Sequence, residues 1–143
     1  YDYAFEEEKY RGAPDIRLHE IDVARPLEIA GERIVPVSGH HSERFEVTGY
    51  RIGRMAYLTD FKTIADAEVG KLIGVELLVV NALRFRPHPS HFNVGEALAL
   101  IARVAPRRAL ITHVSHEIGR HAATTALLPR GVELAYDGLE III

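Results

Sequence analysis

Short apolar runs recur along the chain, and most of them stop at a histidine or an aspartate. Ile34-Val35-Pro36-Val37 leads to His40 and His41, and Met55-Ala56-Tyr57-Leu58 leads to Thr59 and Asp60. Leu77-Leu78-Val79-Val80 leads to Asn81 and on to His88 and His91, and Ala109-Leu110-Ile111 leads to Thr112 and His113. Runs of this length read as strands. An imidazole or carboxylate just past an apolar strand lies at the strand's C-terminal rim, where open α/β sheets keep their sites.

The intervening pattern supplies the rest. Residues 1–14 carry Glu6, Glu7, Glu8 and Lys9 and read as a solvated arm, while Asp15 to Val23 alternates as a half-buried edge strand. Pro26 to Ala30 and Glu32 to Val37 form a hairpin turning at Ala30-Gly31. Gly39 to Thr48 is polar and reads as a loop. Gly49 to Ile52 and Met55 to Thr59 pair through Gly53-Arg54. Thr63 opens a short helix, with Asp66 at the capping-box position and Gly74 closing it. Leu77 to Asn81 is continuously apolar up to its last residue, which predicts a strand buried on both faces.

Two prolines keep Arg84 to His91 irregular. Asn93 caps a helix with Glu96 as its partner; Val94, Ala97, Leu98, Ile101 and Ala105 form its apolar face and Pro106 ends it. Glu117 to Leu128 reads as one further helix. Val132 to Ala135 and Leu139 to Ile143 read as a closing hairpin through Asp137-Gly138. The fold class is α/β, or α+β, with a mixed sheet and helices on one side. Nothing marks a second domain.

Composition narrows the chemistry. The 143 residues are 48% hydrophobic and 26% charged, an ordinary globular balance. A net charge of −3 gives no electrostatic case for nucleic acid or an anionic membrane surface. No apolar run approaches the ~20 residues of a membrane span, and the expected location is the cytoplasm. With no cysteine and eight histidines, any metal is held by imidazole and carboxylate. The chain starts at Tyr1 and its one methionine is Met55, so it reads as a processed or partial chain.

Three groups of residues could carry a reaction. His41, Asp60 and His113 offer an imidazole, a carboxylate and an imidazole, which suit zinc or manganese; singly, each is also an ordinary polar residue at a strand end. His88 and His91 sit on the proline-stiffened loop, where an imidazole can protonate a leaving oxygen near neutral pH. Arg84 and Arg86 could clamp a phosphate, or be surface arginines. Ser115 and His116 open a helix and could bind an anion there, or Ser115 is only its cap. His121 and His19 read as surface residues. There is no Gly-rich phosphate loop, no G-x-S-x-G elbow and no H-E-x-x-H helix.

Tyr57-Leu58-Thr59-Asp60, Asn81-Ala82-Leu83-Arg84, His91, Thr112-His113-Val114-Ser115-His116 and Tyr136-Asp137-Gly138-Leu139-Glu140 together resemble metallo-β-lactamase-fold hydrolases. Within them the chain resembles the phosphodiesterases that open phosphoribosyl cyclic phosphates. The resemblance implies an αββα sandwich with two divalent metal ions, zinc or manganese, in a cleft between its sheets. It implies that His41 is a metal ligand, with His40 as rival, that Asp60 bridges both metals, and that His113 is the last ligand. His91 would be the general acid, since the 22 positions from His91 to His113 match the family's spacing.

The family's His-x-His-x-Asp-His motif is absent from this sequence. Residues 1–143 therefore resemble the C-terminal part of one such domain, unable alone to assemble the full two-metal centre. The expected function is hydrolysis of a small cyclic phosphate ester by a metal-activated water, with Arg84, Ser115 and His116 near the substrate. Two alternatives stand beside it: a nuclease of the same fold, or a binding module without metals. A homodimer is left open.

Overall fold

The structure, a computed structural model, describes residues 4–6, 10–14 and 16–142. Among the described residues, seven strands form one sheet in chain order, β1 to β7. The first four, β1 (Leu27–Ile29), β2 (Glu32–His40), β3 (Glu46–Ile52) and β4 (Met55–Leu58), pair antiparallel. From β4 onward the pairing is parallel, through β5 (Leu77–Asn81), β6 (Arg108–Thr112) and β7 (Val132–Leu134). Two antiparallel steps leave β2 running the same way as β4. The C-terminal ends of β2, β4, β5 and β6 therefore share one rim, and the expected site residues follow from it.

Helices α1 (Asp66–Gly70) and α2 (Val94–Val104) cover one face. Val69, Val94, Ala97, Leu100, Ile101 and Val104 join Val37, Ala56, Leu58, Leu78, Val80 and Ile111 in the main core. The strand β5 is buried at all five positions, as its unbroken apolar run predicts. Its Leu78 and Val80 face the helices, whereas Leu77 and Val79 join Leu110 in a smaller cluster against Met55, Ala135, Leu139 and Ile141. Helix α2 has the expected capping box: Asn93 accepts from the Glu96 amide, and the Glu96 carboxylate accepts from the Asn93 amide. Leu100 and Val104 complete its buried face, with Leu98 only partly buried.

Several expectations are corrected. Gly39 to Thr48 is not one loop, because β2 and β3 run on and leave only residues 41–45 between them. The glycines are there for space. A Cβ on Gly39 would meet the Phe61 ring and lie 2.8 Å from the Thr63 carbonyl; one on Gly49 would meet Leu58 and sit 3.2 Å from Phe61. Thr63 does not open a helix: its backbone pairs with His40, and α1 starts at Asp66 with no side-chain cap.

The expected helix from Glu117 to Leu128 is broken. A 3-10 turn at His116–Ile118 ends at Gly119, whose φ of 97° departs from helix, and α3 covers only His121–Thr125. The closing hairpin is absent, since β7 pairs parallel with β6 and Leu139 packs on the smaller cluster instead; Ile143 lies outside the described residues. Residues 16–23 form no strand, and Leu18, expected on the half-buried face, is 80% exposed. Within the expected arm Ala4 is buried, while Glu7, Glu8 and Lys9 lie outside the described residues, as does Asp15 at the head of the expected edge strand.

Candidate metal and acid–base site

Asp60 lies two residues past β4, and His113 immediately follows β6. Both have left-handed backbones, with φ of 64° and 57°. Aspartate and histidine enter this region more readily than most residues, but at a cost. The turns bring the two side chains together over the rim, with His113 Nε2 3.2 Å from Asp60 Oδ1.

His91 reaches the same carboxylate oxygen from the loop after β5, its Nε2 at 3.1 Å. Its Nε2 is also 3.1 Å from His113 Nε2. His41 stands edge-on to His91 with ring centroids 4.5 Å apart. Its Nδ1 is 2.9 Å from the Asp60 carbonyl oxygen, which can only accept. Nδ1 is therefore the protonated nitrogen of neutral His41, and Nε2 keeps its lone pair. Donor atoms of His41, Asp60 and His91 all lie within 4.8 Å of one another.

Such a set offers more lone pairs than protons. One carboxylate oxygen faces two imidazole nitrogens that also face each other, a surplus that a divalent cation satisfies. The residues fit a metal. His40 is outside this group: its backbone is paired with Thr63, and its side chain lines a separate hollow with Ser42, Glu43 and Lys62.

His88 backs the cluster, its Nδ1 3.1 Å from His91 Nδ1, and Ser90 Oγ lies 3.1 Å from that same nitrogen of His91. The His91 pKa is lowered, first by burial and then, after the opposing hydrogen bond to Asp60, by the His41, His113 and His88 rings. The His88 pKa is lowered by burial, then by Arg84 and Lys62.

The expected substrate residues lie on the histidine loop and at the start of the 3-10 turn. Arg84 donates to Glu117 Oε2 at 2.7 Å and to the Pro87 carbonyl at 3.1 Å, so its fork ties the histidine loop to the 3-10 turn. That hydrogen bond holds the Glu117 carboxyl below its usual range. Arg86 is exposed and 3.9 Å from the same carboxylate. Ser115 caps the 3-10 turn through the Glu117 amide, and His116 is its first residue. His121 lies elsewhere, its Nε2 2.9 Å from the Leu134 carbonyl and its ring edge-on to Tyr136.

One residue gained a role that the sequence did not suggest. Asn81 ends β5 and is fully buried. Its Oδ1 accepts from the Phe61 amide at 2.8 Å, and its Nδ2 donates to the Phe61 carbonyl at 2.9 Å. That carbonyl also accepts from the Phe92 amide at 2.8 Å. The available signal was a carboxamide closing an otherwise apolar buried run, where a polar group must find partners.

Residues 1–114 match the family described as a beta-lactamase superfamily domain. The structure of a new diphosphatase from the PhnP family superposes with a TM-score of 0.86 at 35% identity, covering 92% of this chain and 50% of that one. An octanoyltransferase of Porphyromonas gingivalis (strain ATCC BAA-308 / W83) is 36% identical over 142 residues, covering 99% of this chain and 29% of that protein. The metallo-beta-lactamase fold protein YhfI from Bacillus subtilis has a TM-score of 0.64 at 17% identity, covering 83% of this chain and 53% of that one, a likeness of fold alone.

Proposed function

Since the chain belongs to the beta-lactamase superfamily and is a hydrolase domain of metallo-β-lactamase fold, we propose that it contributes metal ligands and a general acid to the hydrolysis of a small, cyclic phosphate ester. The observation that carries this reading is the meeting of His41, Asp60, His91 and His113 at the rim. Likeness to a protein named a diphosphatase supports phosphorus as the reacting centre. The chain spans about half the length of that relative, and the whole reaction is proposed for the complete protein.

His41, Asp60 and His113 would hold zinc or manganese, with His41 already fixed in its lone-pair-outward tautomer by the Asp60 carbonyl. When bound, such an ion activates water and offsets charge on phosphoryl oxygens. His91 gives its proton to the leaving oxygen. Burial and neighbouring imidazoles make it a stronger acid than a free histidine, while Asp60 steadies the protonated ring at 3.1 Å. Ser115, His116 and Arg84 are proposed to meet the ester's phosphate or sugar portion.

Turnover of two phosphodiesters, one with an alkyl and one with a nitrophenyl leaving group, tests the assignment. His91→Ala should slow the alkyl ester by about 10²–10⁴-fold and the aryl ester much less, at unchanged metal content. His113→Ala should lower metal content and both rates together. A His91→Ala protein that loses its metal, or slows both esters equally, would refute the acid role.

A further inference from the structure

We propose that Asn81 is a positioning residue that sets the conformation in which Asp60 meets a metal, an inference that rests on the metal reading above. The ladder between β4 and β5 ends at Leu58, opposite Val80. If the strand simply continued, Thr59 would stand opposite Asn81. Instead the Asn81 carboxamide grips Phe61, accepting from its amide and donating to its carbonyl. Leu58 and Phe61 are thus tied to consecutive residues of β5. The two residues between them, Thr59 and Asp60, are surplus length and must loop outward over the rim. Asp60 makes that loop with a φ of 64°.

The grip extends to His91. The Phe61 carbonyl accepts from the Phe92 amide at 2.8 Å as well as from Asn81, so one peptide group joins the carboxylate's turn to the residue after His91. Phe61 itself is fully buried between Gly39 and Gly49 and cannot shift to follow a relaxed turn. The Asn81 side chain hydrogen-bonds to Phe61 and to none of the site's donor atoms. Its effect passes through Phe61.

Asn81→Leu keeps the size and removes both bonds. Leu78→Ala, in the same strand and the same core, is the control for lost stability alone. Two measurements are made on each folded chain: the φ of Asp60 from NMR couplings without metal, and the zinc dissociation constant by calorimetry. Asn81→Leu should release Asp60 from the left-handed region and weaken zinc by about 10–100-fold, the usual effect of removing a group that orients a ligand. Leu78→Ala should change neither. If Asn81→Leu does not fold, Asn81→Ser, too short to reach Phe61 at both ends, is read in the same way. An Asp60 that stays left-handed in the Asn81 variant, or a Leu78→Ala effect as large, overturns the inference. A wild-type chain that binds no zinc would show that these residues alone do not hold the ion, leaving their ligand role to the His113→Ala test in the complete protein, and the Asp60 φ would still decide the role of Asn81.

Discussion

Gly39→Ala should be among the more damaging single-methyl additions in this chain. Gly39 is buried in β2. An added Cβ would overlap the Phe61 ring and lie 2.8 Å from the Thr63 carbonyl. Neither neighbour yields easily. Phe61 is fully buried, and its backbone is held by Asn81 and Phe92. Thr63 is paired on both sides of its peptide with His40. Overpacking of this kind costs about 1–3 kcal/mol, and a clash with backbone points to the upper end. For a chain of this size each kcal/mol lowers Tm by about 2–4 °C, so a fall of about 10 °C is expected. Urea and thermal unfolding measure it. Gly70→Ala is the control, since nothing lies within 4 Å of its added Cβ and it sits in α1; it should stabilise by up to about 1 kcal/mol. Phe61→Leu should recover part of the Gly39→Ala loss. A Gly39→Ala protein as stable as wild type would show that Phe61 is not pinned, and the Asp60 turn would then lose its rigid anchor.

Asn93→Ala removes the side-chain acceptor of the α2 capping box and should cost about 1 kcal/mol in urea unfolding. A loss near zero would mean that Glu96, also paired with Lys62 at 2.7 Å, holds the helix start without it. Acid should weaken the metal-free protein around the ordinary histidine range. His88 and His91 have folded pKa values below the ordinary histidine value of 6.5, so the unfolded chain binds more protons there. Stability is then fully present above that value and is lost as pH falls below it through the lower folded values. Urea midpoints at about pH 7.5 and 5.5 read the drop, and a His88→Gln, His91→Gln double variant should flatten it.

The parts of the fold legible in the sequence were those coded locally. The β3–β4 hairpin, the buried run of β5 and the boxed start of α2 each carry their pattern within a few residues. The site was legible in outline because four strands end on chemistry and parallel pairing aligns their ends. What was missed depends on partners distant in sequence. Gly39 looks like a loop residue until Phe61 is placed against it. Val132 to Leu134 looks like half of a local hairpin until β6 takes it as a parallel neighbour. The break at Gly119 is the exception. Its signal was local, but the apolar residues on either side masked it; in the structure Thr124 Oγ1 bridges the break to the Ile118 carbonyl at 2.8 Å.

The two left-handed residues of the site are best understood together. A strand that ends without reversal sends its next side chains alternately to the two faces of the sheet, and neither direction points along the strand axis. Asp60 and His113 must project beyond the rim to face each other across the end of β5. A left-handed φ at each achieves this, at about 1–2 kcal/mol per residue for a side chain larger than glycine. Such a cost persists only where the surroundings over-determine the conformation. For Asp60 they do: the Leu58 ladder fixes one side, the Asn81 carboxamide fixes the other, and the His41 imidazole caps its carbonyl. For His113 the backbone is bracketed in the same way, by the Ala82 amide on the Thr112 carbonyl before it and by the Ser115 amide on the Leu83 carbonyl after it. Both brackets come from the end of β5 and the residues that follow it. The most buried strand therefore places the carboxylate on one flank and the imidazole on the other without supplying either.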